Sequence, residues 1–595
     1  MSEILLSPGV LARENDLTVT AQTPTAIGAS IIGPTVKGQP YVPKRITSFT
    51  EYLTNFGGAF LSGSTQYTYF TSTAAYNYFL NGGTSLWVTR VASGSFTTAS
   101  CFSITGSKIA ANVNGVVNGV QFGSTGSQAN TSSSFKIVPL SYGANQNSSG
   151  SVDSSGSLAN GVPDNIRYEI VSPNTASGTF ALLVRRGDDN TNNKVVLETW
   201  SNLSLDPTAP NYIEKQIGNQ IFAATTGSTG KFEYVNTDGN FPNRSNYITI
   251  QSVTDKTPYY FDNNGNAKAA YTSSIPLAQE GFFGNGTGSL VNGSADKYYN
   301  YITDTNVQGL AIANYTGAID IMANQDEYAY NIIAVPGLTY GSSFGKAALN
   351  TLINNTTNRG DAIAVIDMSL YGSTVSSTTG VANTVDTSYA STYWPWISTV
   401  DPITGEFTWV PASTMIPAVY VNNDTIAAPW FAPAGLNRGG IINAIKAEKK
   451  LTNNDRNSLY QNKVNPVATF PGQGVVVYGQ KTLQTKSSAL DRVNVRRLLI
   501  TLKTRISEIA NTLVFEQNTI ATRTQFLNQV NPYLESVQQQ QGLYAYKVIM
   551  DDSNNTADVI DRNELIGQIY LQPTKTAEFI YLDFNILPTG ATFPA

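Results

Sequence analysis

The stretch Ser487–Ile586 changes its hydrophobic period half-way, and few folds accommodate that change. Leu490, Val493, Leu498, Leu499, Leu502, Ile506, Ile509 and Leu513 recur with helical spacing and share one apolar stripe. Ser488 and Asp491 stand in the S-x-x-D relation of a capping box, which places the start of that helix. A second stripe of Ile520, Phe526, Leu527, Val530, Leu534 and Val537 follows Asn518 as its expected cap and stops at Gly542. Pro532 donates no backbone hydrogen bond and is expected to kink this helix or to start its second half. Beyond Gly542 the period falls to two. Tyr544–Met550 reads as a strand, and Leu565–Leu571 as another with Leu565, Ile569 and Leu571 on one face. In a last strand Ile580, Leu582, Phe584 and Ile586 face one way, close to the chain end and free to pair elsewhere. Two helices followed by three strands make a compact mixed core.

The same region carries a resemblance. The runs Asn494-Val-Arg-Arg-Leu-Leu, Val514-Phe-Glu-Gln-Asn518 and Gly542-Leu-Tyr-Ala-Tyr-Lys-Val548 resemble the C-terminal domain of contractile-tail sheath proteins. So do Asn554-Asn-Thr556 and Pro573-Thr-Lys-Thr-Ala-Glu-Phe-Ile580. These are the sheaths of contractile bacteriophages, related to those of tailocins and other contractile injection machines. Upstream, Trp430-Phe-Ala-Pro-Ala-Gly435 with Arg438-Gly439, and Gly474-Val-Val-Val-Tyr-Gly479 with Lys481-Thr-Leu483, are similar to the same family. The last site departs from the usual Arg-Thr-Leu but keeps its charge.

Composition narrows the function classes. At 595 residues the chain is too long for one core. Charged residues are 13%, against a usual ~25%. Glycine, serine, threonine and asparagine take their place, which suits β-rich, turn-rich surfaces. The net charge of −5 draws neither nucleic acid nor an anionic membrane. No apolar run is long enough for a membrane span, and the N-terminus lacks the basic region of a secretory signal. A single cysteine, Cys101, excludes an intramolecular disulfide and fits assembly in a reducing cytoplasm. The complete absence of histidine removes Ser-His-Asp and Cys-His chemistry and HExxH zinc sites, so no catalytic residue, cofactor or metal is expected.

Along the chain, Ile4–Leu17 reads as a first strand around Pro8-Gly9 and Val10-Leu-Ala-Arg-Glu14. From Thr25 to Val91 the order is strand, turn, helix, helix, strand. Serine, glycine and asparagine then dominate to about Gly161, with strands expected at Phe135–Leu140, Ile166–Val171, Thr179–Arg185, Lys194–Trp200 and Tyr247–Val253. Tyr330–Pro336, Phe344–Asn355 and Ala362–Met368 form one βαβ unit, whose strands should be parallel and should pack beside Thr25–Val91. Tyr389–Pro417 reads as a packed connection rich in tryptophan and proline. The expected division is an arm at 1–24, a middle α/β domain from 25–95 and 321–428, an inserted β-rich domain at 96–320, and a C-terminal core at 429–595. The fold class is therefore mixed α/β (α+β) and multi-domain.

Three constellations invite a chemical reading. Gly341-Ser-Ser-Phe-Gly345-Lys346 follows a strand and opens a helix, but it has three residues between its glycines, not the four of a phosphate loop. Ala347 also stands where a magnesium-binding hydroxyl belongs, so a turn and a helix cap are the better reading. Asp551, Asp552, Asp558, Asp561 and Glu564 lack the glycine of a calcium loop and read as a solvated turn. Arg492, Arg496, Arg497, Lys503 and Arg505 line one helix with no acidic residue among them. They are either an exposed face opposite the apolar stripe, with Arg492, Arg496 and Lys503 on one side of the helix, or a contact for an acidic partner surface such as the Asp551–Glu564 loop of a neighbour.

The resemblance implies a structural subunit of stacked, typically sixfold rings around a tail tube protein, contacting baseplate and neck or terminator proteins. It also implies strands exchanged between copies, through Val10, Leu11 and Ala12 at one end and Ile580, Leu582, Phe584 and Ile586 at the other. The location implied is the virion, after assembly in the host bacterial cytoplasm. Two other readings remain open on the residues alone: a carbohydrate-binding tail or adhesin protein for the polar middle, and a nucleotide-binding α/β enzyme for Tyr330–Met368.

Overall fold

Buried-type strands dictate the centre of the molecule. The computed structural model describes residues 27–578 apart from 63–64, 93–98, 103–114, 118–119, 123–132, 142–152, 154, 159–160, 228–231, 284–301, 303–305, 309 and 312. The expected exchange strands at Val10, Leu11, Ala12, Ile580, Leu582, Phe584 and Ile586 lie outside the described residues. The central sheet has eight strands, in the order Lys44–Ile46, Leu86–Val91, Gly28–Pro34, Tyr330–Thr339, Ile363–Asp367, Ala390–Trp394, Asn465–Phe470 and Gly474–Val477. Its interior pairings are parallel, and only the two edge strands run antiparallel. The strands on either side of the insertion meet directly, with Ala29 opposite Ile332 and Ile31 opposite Ala334. Such a sheet must be covered on both faces, which explains the near-continuous apolar runs.

Helices supply that cover. Phe70–Leu80 and Ala412–Ile426 pack against each other and the sheet, and Ser343–Arg359 packs on the strands Tyr330–Thr339 and Ile363–Asp367. Ser342 caps the last of these by accepting from Gly345 N, as a turn-and-cap reading of Gly341–Lys346 requires. Gly360 ends it at φ 69°, a left-handed conformation that glycine adopts without strain. Trp396 is fully buried, donates its indole N–H to Ser369 O, and lies edge-on to Phe70 and Tyr371. The packed connection expected over Tyr389–Pro417 proves richer: it holds the strands Ala390–Trp394, Ile397–Val400 and Phe407–Val410 and the start of the Ala412–Ile426 helix, which continues through Pro417. The central sheet also runs past residue 428, since its last two strands come from 465–477. There the extended run Asn465–Phe470 finds a parallel partner in Tyr393–Trp394.

Between Ala99 and Phe283 the chain builds antiparallel sheets around a separate apolar core. A six-stranded sheet centred on Ile166–Asn174, Thr179–Arg186 and Gln279–Phe282 faces a three-stranded one of Ile248–Val253, Ser133–Pro139 and Ala99–Phe102. Phe135 and Phe180 stack across that core, ring centroids 5.5 Å apart.

The C-terminal core consists of the helices Val493–Asn511 and Ile520–Gln539 and the hairpin Leu543–Ile549 with Gln568–Pro573. Its ends differ from the sequence reading in instructive ways. Ser488 caps only a short turn, Ala489–Asp491, and the long helix starts at Val493. The delay has a cause: Val493 N donates to Gln480 O and Thr482 N to Asp491 O, which holds Arg492 extended. Thr519, not Asn518, caps the second helix, because the Asn518 amide is drawn away to Glu564 O. Pro532 sits inside one continuous helix whose buried Phe526, Val530, Leu534 and Val537 hold both halves to the same core. The left-handed residue after this helix is Gln541, at φ 64°. Gly542 is required for space instead, since a Cβ there would stand 2.6 Å from Val537 Cγ1.

Candidate assembly interface

The helix Val493–Asn511 is the element on which the candidate residues converge, and it is buried on two faces. Val493 and Ile500 belong to the core of the central sheet, while Leu498, Leu502, Ile509 and Leu513 belong to the C-terminal core. Its basic residues therefore do not form one exposed face. Arg496 is 7% exposed and Arg497 3% exposed, which corrects the expectation that Arg496 projects into solvent. The Arg496 guanidinium stacks on Tyr389 at 4.1 Å and donates to Ser388 Oγ. Arg497 stacks on Tyr420 at 4.7 Å and pairs with Asp424, both on the Ala412–Ile426 helix. Desolvation lowers the Arg496 pKa, partly offset by Tyr389. Arg505 is half-buried and pairs with Glu508 one turn on, while Lys503 is exposed.

The acidic loop does not meet these cations within the chain. Asp552 accepts from Arg523 at 2.7 Å, and Arg562 pairs with Asp558 and Glu564. Asp551 accepts from Ser553 N at 2.9 Å, and this bonding with the Ser553 hydroxyl holds its carboxyl below the usual range. All five carboxylate residues of the loop are exposed. Among the described residues no cluster of acidic, cysteine or histidine side chains is close enough to hold a metal ion, and no helix is long and apolar enough to cross a membrane.

Three features escaped the sequence reading. The first is Glu578, whose carboxylate is gripped by Arg492 through Nε at 2.7 Å and Nη2 at 2.9 Å, by Tyr460 OH at 2.6 Å and by Gln480 Nε2 at 3.1 Å. The second is the hairpin Leu543–Ile549/Gln568–Pro573, a sheet of only two strands with no further strand on either edge among the described residues. Beside it Leu499, Leu502, Ile506, Ile569 and Leu571 line an apolar groove of about 310 Å³. An edge so left is a template for strand addition. The third is Phe515, fully exposed at φ 72° next to exposed Val514. The alternating segment Phe579–Ile586 is the signal that could have pointed to the open hairpin; Glu578 and Phe515 lie inside the motifs Pro573–Ile580 and Val514–Asn518, which mark the segments but not what these two side chains do.

Asp367 shows how the central sheet is tied to its covering helix. Its buried carboxylate accepts from Ser413 N at 3.1 Å and from the Ser413 hydroxyl, at the first turn of Ala412–Ile426. Burial pushes this carboxyl up to about 7, against the lowering effect of both Ser413 bonds. An unfolded aspartate titrates near 3.9, so the folded chain keeps a proton that the unfolded chain has lost, and stability falls as pH rises from about 4 to about 7. Asp367→Asn keeps one acceptor and one donor for Ser413 without the buried charge. It is expected to match the wild type near pH 4 and to exceed it at pH 8 by on the order of 1–3 kcal/mol in urea unfolding. A less stable variant at pH 8 would contradict this account.

Comparison with known proteins shows what the chain is similar to. Residues 311–483 match the phage tail sheath protein central domain, and residues 485–587 match the phage tail sheath C-terminal domain. The tail sheath protein of Vibrio phage KVP40 is 32% identical over 343 residues, 56% of this chain and 51% of its own. That of Enterobacteria phage T4 is 40% identical over 185 residues, covering 31% of this chain and 28% of its own. The chain thus spans about half the length of the KVP40 protein and less of the T4 one. A sheath tail protein from Listeria innocua shares the fold at a TM-score of 0.50 and 11% identity, covering 92% of this chain and 95% of its own. Residues 311–483 and 485–587 are thus similar, in order, to the central and C-terminal domains of phage tail sheath proteins.

Proposed function

We propose that the chain is the structural subunit of a contractile phage tail sheath. Copies polymerise as stacked rings, sixfold in the likeness of the family, around a tail tube protein in an extended, metastable state. Contraction, released at the baseplate, drives the tube through the host envelope for genome ejection. Neck or terminator proteins close the other end, and the particle is assembled in the host cytoplasm. The role is mechanical, not catalytic. Stored energy then lies in a kinetically trapped arrangement of interfaces rather than in a bound nucleotide.

The observation that carries this reading is the hairpin within the matched C-terminal domain, whose edges are unpaired among the described residues. A polymer whose subunits slide must keep some connections while others break. Backbone pairing onto an open edge, with a flexible linker behind it, meets that requirement. Val10, Leu11 and Ala12, and Ile580, Leu582, Phe584 and Ile586, are the strands proposed to add there from neighbouring copies. Exposed Lys503, half-buried Arg505 and the exposed acids Asp551, Asp558, Asp561 and Glu564 are the side chains left to face the tube or the next copy.

Electron microscopy of the purified chain is expected to show long hollow tubes. A chain lacking Met1–Thr20 should stay soluble, with an unchanged circular dichroism spectrum, and should form no tubes. Tubes of normal length from the shortened chain would sink the strand-exchange reading.

A further inference from the structure

The Glu578 site is more elaborate than a surface ion pair needs to be. Its carboxylate receives four hydrogen bonds, from Arg492 twice, Tyr460 and Gln480. Gln480 Nε2 also donates to Thr576 Oγ1 at 2.7 Å, which ties the side chain two residues earlier into the same grip. The donors come from separate elements. Tyr460 lies on the helix Asn453–Gln461, Gln480 follows the strand Gly474–Val477, and Arg492 directly precedes the helix Val493–Asn511. Lys481 lies over the Tyr460 ring at 4.6 Å, and Asp491 pairs with Arg492 at 2.9 Å, so the grip is braced on its far side. The Arg492 and Glu578 side chains are 24% and 18% exposed, partly desolvated and partly screened. The position matters as much as the geometry. After the hairpin strand Gln568–Pro573 the chain has no regular structure up to residue 578, and in the sequence Glu578 directly precedes the alternating segment Phe579–Ile586.

We infer that the Arg492–Tyr460–Gln480 pocket is an anchor that fixes where the C-terminal segment leaves its own subunit. A load applied to that segment by a neighbouring copy passes through Glu578 into the central sheet. This rests on the sheath reading above. Charge-assisted bidentate pairing is the appropriate chemistry for such an anchor, because it resists shear in two directions at once. The neighbouring tie is Thr574, which bonds Gln541 O and Gly542 O at the end of the preceding helix.

Burial alone would raise the Glu578 pKa, but the bonds from Arg492 and Tyr460, the Arg492 charge and the Gln480 bond together hold it below its ordinary value. The anchor is therefore formed above the usual glutamate range and is lost as pH falls through the depressed one.

Two measurements on the full chain test the inference. The first is tryptic cleavage after Lys575, which is exposed beside the anchor. In Glu578→Gln and Arg492→Ala it should run at least tenfold faster than in the wild type, with Arg492→Lys in between, while the thermal midpoint stays unchanged. The second is tube formation, where Glu578→Gln and Arg492→Ala should need at least tenfold more subunit and Arg492→Lys less than that. Variants that resist trypsin and assemble like the wild type would overturn the anchor and leave the sheath reading standing. A thermal midpoint that falls in step with assembly would also overturn it, because Glu578 would then serve only the fold of its own subunit. If the wild type forms no tubes under any condition, the sheath reading itself falls, and the anchor with it.

Discussion

Replacing Asp189 with alanine is expected to unfold the β-rich segment between Ala99 and Phe283, at a cost of about 3–5 kcal/mol, while the central and C-terminal cores stay folded. The register of the strands explains the size of the effect. Arg167 stands directly opposite Arg185, and Glu169 directly opposite Glu280, so each cross-strand pair brings like charges together. Such pairs destabilise a sheet unless something else neutralises them. Here Arg185 reaches Glu169 at 2.9 Å and Glu280 at 3.0 Å, and Arg167 reaches Glu280 at 2.9 Å. Asp189 completes the neutralisation. It takes a bidentate contact from Arg185 at 2.7 and 2.9 Å, another from Arg167 at 3.4 Å, and a bond from Val195 N at 2.9 Å. Both arginine side chains and Asp189 are fully buried, so alanine would strand positive charge without solvent. Calorimetry should then show two transitions, the lower one shifted in the variant. Asp189→Asn, which can still accept from Val195 N, should cost less. A single transition at the wild-type midpoint would contradict this account.

That network was not legible in the sequence, for a physical reason. Its members lie between positions 167 and 280, and each alone looks like an ordinary charged strand residue. Only the antiparallel register places them on one face. By contrast, the parallel centre of the fold was legible, because strands buried on both faces must be apolar throughout, as Ile332–Val335 and Ile363–Ile366 are. The helix Ala412–Ile426 was missed by the same logic working in reverse. Every residue from Ala412 to Tyr420 is buried, so no polar period marks it as a helix. Its Pro417 argued further against one.

The candidate site divides along similar lines. The C-terminal hairpin and helices could be read from the change of period, and the motif resemblance pointed to contractile-tail sheath proteins. What could not be read was that the Val493–Asn511 helix serves two cores. Amphipathic reasoning assumes one buried face and assigns the rest to solvent. Val493 and Ile500 on the central side already depart from that assumption, and Arg496 and Arg497 follow them inward. A long side chain with an aromatic face to lie on can be buried while still paired, which a linear pattern does not reveal. Glu578 was unreadable because its partners stand 86, 98 and 118 residues away.

Arg497→Glu should be the most damaging single charge reversal on that helix, with a loss of about 3–5 kcal/mol, because it breaks a buried pair and sets two carboxylates together. Arg497 is 3% exposed, and its ion-pair partner among the described residues is Asp424, across the junction between the central and C-terminal cores. The substitution also removes the guanidinium from Tyr420, whose hydroxyl is already committed to Tyr393 and Ser391 in the interior. No other conformation rescues it, since the helix is held on both sides by Val493 and Ile500 and by Leu498 and Leu502. Arg505→Glu provides the contrast on the same helix. Arg505 pairs with its neighbour Glu508 at 2.8 Å, and that pair is partly exposed. A like-charge pair one turn apart costs roughly 0.2–0.5 kcal/mol. Urea unfolding of the two variants should therefore differ several-fold in lost stability, though each reverses one arginine. Asp424→Arg placed together with Arg497→Glu should recover part of the loss, since Asp424 is 23% exposed and an arginine there can extend toward solvent. Equal, small losses in Arg497→Glu and Arg505→Glu would mean that the helix does not couple the two cores through this pair.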